Sequence, residues 1–206
     1  MSAPPSVRLT GEDEQAAMSA VFTDAFVDEA GLNYWLRQGA AKARARRRFF
    51  DAVVDDAVHP ERDIYVAEGG GQPLGGALWL SPGQKAFDYS LLEEIALAPL
   101  MLSIAGAAGM MRGFTLAERL EKFHPKGPHA HLVFLGVTTA AQGRGVGSEL
   151  LKQTLAPLDA SKTLAYLECS TERNAALYQR HGFEVTGEFD LPNLHMWTMV
   201  RAPRFH

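Results

Sequence analysis

Gln142, Gly143, Arg144, Gly145, Val146, Gly147 and Ser148 follow a mostly apolar stretch, His131 to Val137, and lead into a helical pattern. In that pattern Val146, Leu150, Leu151, Leu155 and Leu158 share a face up to a break expected near Pro157. Three alternate glycines remove side chains where the backbone enters a helix. Several N–H groups can then converge on an anion at the positive end of the helix dipole. The chemistry on offer is the binding of a phosphate-bearing ligand. It is not the dinucleotide fingerprint, because Ser148 stands where G-x-G-x-x-G needs its third glycine, and no G-x-x-x-x-G-K-[ST] occurs.

Downstream, Asn174 and Tyr178 lie four residues apart, one helical turn and on one face. Asn174 suits a helix N-cap. Tyr178 suits either a core position with its hydroxyl satisfied by backbone, or a proton donor. His129, His131 and Glu168 are the candidate bases, with a strand-end histidine and a strand-end ion pair as their structural alternatives.

Two signatures in order, Gln142-x-x-Gly145-x-Gly147 and then Asn174 with Leu177-Tyr178-x-x-x-Gly182-Phe183, make the chain resemble the GCN5-related N-acetyltransferase (GNAT) superfamily. Within it the chain is most similar to the puromycin N-acetyltransferase-like small-molecule branch. The shared features are a long helical segment before the fourth strand, the Gly136-Val137 strand end, Leu167 to Ser170, and the segment from Tyr178 through Arg180 to Phe183. The resemblance is strong from about Pro125 to Arg201 and weak before Ser90.

The resemblance implies acetyl-CoA as co-substrate, its pyrophosphate on Gln142 to Ser148 and its pantetheine arm along the main chain of Leu135, Gly136 and Val137. Gly136 would allow close approach, and Asn174 would contact the pantetheine. It further implies Tyr178 as general acid: a thiol near 8.5 and a phenol near 10 permit proton donation or a stabilising hydrogen bond to the departing thiolate. His131 lies six residues before Val137, where Gcn5-type histone acetyltransferases resemble this chain but carry a glutamate base; an imidazole can do the same work. Glu168 could anchor a cationic acceptor. Tyr34, Trp35, Trp79 and Phe87 could line an apolar or aromatic acceptor pocket, but scattered aromatics are more often core, and they are left out of the site.

The elements that position these groups read as a mixed α/β domain. Val7 to Leu9 suits a strand. Thr10 with Asp13 resembles a capping box before a helix carrying Met18, Val21, Phe22, Ala25 and Phe26. A second helical pattern runs from about Ala41 to Val58, its basic residues Lys42, Arg44, Arg46, Arg47 and Arg48 forming a solvated face. Ile64 to Glu68 and Leu74 to Leu80 form a hairpin around Gly69, Gly70, Gly71 and Pro73. Asp88 to His124 reads as helices broken near Pro99 and Gly113. Leu164 to Cys169 is a strand, Asn174 to His181 a helix, and Phe183 to Leu191 with Leu194 to Arg201 a hairpin turning at Pro192 and Asn193. The expected architecture is the GNAT fold, a mixed central sheet whose fourth and fifth strands splay around acetyl-CoA between flanking helices.

The 206 residues suit a single N-acetyltransferase domain spanning 1–206. A formal charge of −4 gives no positive field for nucleic acid or an anionic membrane. Cys169 is the sole cysteine, which excludes an internal disulfide framework and a Cys-rich zinc site and favours the cytoplasm. Met1 to Gln15 lacks a signal-peptide pattern. The uncharged run Ile95 to Met111 is short for a membrane span and is expected to be a buried helix. The expectation is therefore a metal-free, acetyl-CoA-dependent N-acetyltransferase, monomer or homodimer, in which the primary amine of a small molecule attacks directly in a ternary complex. Acetylation of a protein or peptide amine, and a non-catalytic acyl-CoA-binding regulator, are the alternatives.

Overall fold

In the computed structural model, which describes residues 4–55, 62–84 and 91–204, seven strands make one mixed sheet. They are β1 (Ser6–Leu9), β2 (Arg62–Gly69), β3 (Gln72–Leu80), β4 (Ala130–Val137), β5 (Ala165–Cys169), β6 (Glu184–Leu191) and β7 (Leu194–Arg201), in the order β1-β2-β3-β4-β5-β7-β6. The helices are α1 (Gln15–Ala25), α2 (Ala30–Trp35), α3 (Lys42–Val53), α4 (Leu91–Glu121), α5 (Val146–Ala160) and α6 (Glu172–Arg180). Period-two alternation sorts the central strands into two cores. Ile64, Val66, Leu78 and Leu80 pack with Met18, Phe22 and Phe50 of α1 and α3. Ala67, Ala77 and Trp79 pack with Leu150, Leu151 and Leu155 of α5. This is the expected mixed α/β fold.

β4 and β5 run parallel and pair at only three positions, Ala130↔Ala165, His131↔Tyr166 and Leu132↔Leu167. At that point β4 is bulged. Leu78 of β3 faces Phe134 and Trp79 faces Leu132, so Val133 is the extra residue. A bulge bends its strand, and beyond it β4 parts from β5 and leaves a wedge between them.

Several local expectations are corrected. Thr10 is not a cap: its hydroxyl donates to the Ile64 carbonyl, while the Glu14 carboxylate reaches back to the Gly11 N–H at 2.6 Å. α2 is an unanticipated helix of six residues, too short to show periodicity. The second helical pattern ends at Val53; Ala57, Val58, Phe87 and residues 88–90 lie outside the described residues. Arg46 does not belong to a solvated face, since it is buried and donates to the Thr23 carbonyl at 3.0 Å. The β2–β3 turn narrows to Gly70 and Gly71, both at positive φ, and Pro73 lies inside β3. α5 runs through Pro157 to Ala160, because Pro157 is exposed and its missing N–H costs one bond on the solvent side.

α4 departs furthest from expectation. It breaks neither at Pro99 nor at Gly113 but at Gly106, where φ is 67° and ψ 169°. Arg37 stabilises the break by donating from its backbone and guanidinium to the carbonyls of Ile104, Ser103 and Leu102. Gly109 instead serves close packing, since a Cβ there would lie 2.1 Å from the Trp35 carbonyl oxygen. The helix is not buried: only 17% of its most apolar stretch is covered, and Ile95, Leu102, Met111 and Phe114 are 47–67% exposed. By length and composition, Ile95–Glu121 is apolar enough to cross a membrane, and among the described residues no other helix is.

Candidate active site

The loop after β4 is built to present backbone. Thr138 anchors it to β3 through the Leu74 carbonyl, and Asp24 at the end of α1 accepts the Thr139 N–H at 2.6 Å. The Gln142 amide donates to the Val137 carbonyl, so its side chain shapes the turn. Gly143 and Gly145 adopt φ of 75° and 83°, the left-handed region that glycine enters without strain. Gly145 is the residue before α5 and no side chain caps that helix, so its first N–H groups point out of the helix end. A side chain at Gly147 would only touch Val137 and Leu177. Ser148 faces His181, with 2.7 Å between Oγ and Nε2. Burial, and after it Arg180, Arg204 and Arg201, hold the His181 imidazole below its ordinary value.

A groove runs from this loop into the β4–β5 wedge. Leu135, Gly136 and Val137 form one wall; Gln142, Gly143, Gly145, Val146, Gly147 and Ser148 form the loop end. Arg144 stands exposed on the loop and does not line the groove. Two cations that sequence reasoning missed, Arg173 and Arg180 of α6, do line it. An N–H-rich helix end, two guanidiniums and an unpaired stretch of strand suit a diphosphate joined to an amide-bearing arm. Gly136 is a glycine for another reason than expected: a Cβ there would press on Ala25 and Phe26 of α1 at 2.8 and 3.0 Å. Its missing side chain seats α1 on the sheet.

A second cavity of about 340 Å³ opens on the other side of the wedge. The two share Phe26, Glu29, Leu135, Asn174 and Tyr178, which mark their junction. Asn174 is not the N-cap of α6. Thr171 is, accepting the Asn174 N–H at 3.2 Å, and the Asn174 side chain is thereby left to line both spaces. Tyr178, one turn later, is buried against Phe183. Burial, then the nearby Cys169 and Glu29, push its phenol well above the usual range, so it stays protonated. Glu29 carried no sequence signal. Its carboxylate caps α2 through the Gly31 and Leu32 N–H groups and accepts the Ser170 hydroxyl from 141 residues away.

His131 and Glu168 both line the second cavity and meet at 2.9 Å between Nε2 and Oε2. Burial raises the Glu168 carboxyl, but His131 beside it, as a charge and as a hydrogen-bond partner, outweighs this and leaves it below the usual range. The other nitrogen of His131, Nδ1, is buried without a hydrogen-bond partner. His129 does not line the cavity: its Nδ1 meets the Gly127 carbonyl and its ring packs on His124 and Tyr166. His124 does line it, with its imidazole held below the ordinary value by burial and then by His131 and His129. Of the aromatic residues, Trp35 reaches the cavity, whereas Tyr34 and Trp79 do not. Phe26, Phe49 and Phe134 are the rings that sequence reasoning missed there.

A family model for the acetyltransferase (GNAT) domain matches residues 103–185, which covers the second half of α4, β4, the glycine loop, α5, β5 and α6. Among solved structures, a Corynebacterium glutamicum protein of the histone acetyltransferase HPA2 and related acetyltransferase group is 25% identical, with 99% of each chain covered and a TM-score of 0.77. The PaiA N-acetyltransferase of Thermoplasma acidophilum, in complex with coenzyme A, is 10% identical over 97% of this chain and 99% of that one, at a TM-score of 0.57. Arylalkylamine N-acetyltransferase 2 of Aedes aegypti is 12% identical over 97% and 99%, at 0.64. With the wedge, the glycine loop and the domain match in agreement, residues 103–185 carry the acetyltransferase (GNAT) domain within a GNAT fold, and acetyl-CoA is the co-substrate.

Proposed function

We propose that the protein transfers the acetyl group to the primary amine of a small molecule by direct attack within a ternary complex. The observation that carries this is the pair of cavities meeting at Tyr178, Asn174 and Glu29: one suits a diphosphate-bearing arm, and the other is a lined pocket sized for a small molecule. The resemblance to small-molecule acetyltransferases supports the same acceptor class. Acetyl-CoA supplies an activated thioester.

Gly143, Gly145 to Ser148 and the two arginines Arg173 and Arg180 hold its diphosphate, and Asn174 with the β4 edge from Leu135 to Val137 aligns the arm toward Tyr178. An amine arrives mostly protonated and must lose a proton before its lone pair can attack. His131 serves as base together with Glu168, which lines the same cavity and is joined to it at 2.9 Å, so that the pair takes up the proton. As the N–C bond forms and the C–S bond breaks, Tyr178 donates a hydrogen bond to the departing sulfur. Its elevated phenol favours that bond over complete proton transfer. The test is release of free CoA thiol with a panel of small amines, peptides with free amines, and no acceptor. Turnover only with peptides would replace the small-molecule acceptor, and tight acetyl-CoA binding without any turnover would leave a non-catalytic binder.

A further inference from the structure

We infer that the acceptor is a monocationic amine on an aromatic body that carries no carboxylate, an inference that rests on the acetyl-transfer reading and names the substrate class of that same cavity.

The sign of the charge comes from the lining. Glu29, Glu121 and Glu168 bound the cavity, and among the described residues that line it there is no lysine or arginine. Such a space attracts a cation. A substrate carboxylate would enter it desolvated and facing like charges, with only the imidazoles of His124 and His131 on the wall, the second already engaged by Glu168.

A single cation, rather than a polyamine, follows from how two of the three carboxylates, Glu29 and Glu168, are engaged. Glu29 holds the Gly31 and Leu32 N–H groups and the Ser170 hydroxyl. Glu168 holds His131. They make the cavity electronegative, Glu29 at its junction with the groove and Glu168 within it, without offering the row of open carboxylates that several ammonium groups need.

The aromatic body follows from the rings. Phe26 stands at the junction and meets Phe134 edge-on at 5.5 Å; Phe134 meets Phe49 at 5.8 Å, and Phe49 meets Trp35 at 5.1 Å. All four line the cavity, forming a continuous aromatic wall that starts beside Tyr178 and leads away from it. A planar ring can complete edge-to-face contacts on such a wall, and the ammonium attached to it gains from ring faces as well as from Glu29. The volume, about 340 Å³, lies near the lower end of the roughly 300–1,000 Å³ found for ligand pockets, which suits a one- or two-ring amine.

The test compares kcat/KM, read by CoA release, for phenylethylamine, phenylalanine, hexylamine and spermidine. It is joined by calorimetric titration of phenylethylamine into CoA-saturated protein. Phenylethylamine and phenylalanine differ only by the carboxylate, so the first should exceed the second by roughly 100-fold or more, as expected when a charge is buried unpaired. It should also exceed hexylamine and spermidine, and it should bind the CoA complex. Phe134→Leu should reduce the advantage over hexylamine by roughly 10-fold while acetyl-CoA still binds. Phenylalanine or spermidine turned over as well as phenylethylamine would overturn the substrate class and leave amine acetylation standing. Tight acetyl-CoA binding with no CoA release from any amine would overturn the transfer reading, and the class with it.

Discussion

At the residue scale the chemistry depends on which atoms are left with something to do after the fold has used the rest. Tyr178 is buried and held neutral at the junction of the two cavities, so deleting its hydroxyl removes a donor without changing the shape of the site. Tyr178→Phe should lower kcat by roughly 10²- to 10⁴-fold with acetyl-CoA affinity nearly unchanged. Steady-state rates beside calorimetry check this, and an unchanged kcat would return Tyr178 to a core role. The histidines separate equally cleanly. His131→Ala removes the partner of Glu168 and should lower kcat by roughly 10²-fold or more with acetyl-CoA affinity nearly unchanged, whereas His129→Ala, whose ring lies away from the cavity, should keep the wild-type rate. A rate that survives the first variant and is lost in the second would transfer the role to His129. The places of Tyr178 and His131 on the cavity wall were legible because motif spacing and strand register put them there. Glu29 was not, because what distinguishes it from a surface glutamate is the hydroxyl of Ser170, brought to it only by the folded chain.

At the scale of elements, the glycine loop and α4 show what a sequence pattern can and cannot convey. The loop was readable because φ values of 75° and 83° at Gly143 and Gly145 demand glycine whatever surrounds them. Gly147 needs no such conformation and has room for a Cβ, so Gly147→Glu should fold normally yet set a carboxylate against the diphosphate and abolish acetyl-CoA binding. Equal affinity in calorimetry for wild type and a folded variant would remove the anion from this loop. α4 was misread because apolar composition does not say which side is covered. Its buried edge is set by Arg37, which caps the break at Gly106, and by Gly109, which closes on Trp35; both partners lie far away in the chain. Two neighbouring positions test the resulting picture. Ile104 is fully buried, so Ile104→Ala should cost about 2–5 kcal/mol, while Leu102, 47% exposed, should cost under about 1 kcal/mol when changed to Ala. Denaturant midpoints measure both, and equal losses would mean that the outer face of α4 is covered in solution.

For the molecule as a whole, opening the sheet between β4 and β5 makes room for two ligands and leaves His124 half-buried beside the gap, while His181 is half-buried in a separate cavity with Asp159, Arg201 and Arg204. His124, against His129, His131 and Tyr166, and His181, against Ser148 and near three arginines, are both held below the ordinary imidazole value, chiefly by burial. In the unfolded chain these histidines titrate near 6.5. Between that value and the lower folded one, the unfolded chain binds more protons, so stability rises with pH across this interval. Their contribution is complete above about pH 6.5 and is lost as pH falls from there through the folded-state values. Glu168, also lowered, acts with the same sign in a separate window: its contribution is present above the unfolded value of 4.5 and is lost on further acidification. The melting temperature should therefore fall between about pH 7.5 and about pH 5.5, before carboxylates protonate. A His124→Gln, His181→Gln double variant should flatten that interval and keep the loss below about pH 4.5. Thermal melts at fixed ionic strength decide it: a wild-type curve flat from about pH 7.5 to about pH 5.5, or a double variant with the wild-type slope there, would show that burial of these imidazoles does not govern the acid side of stability.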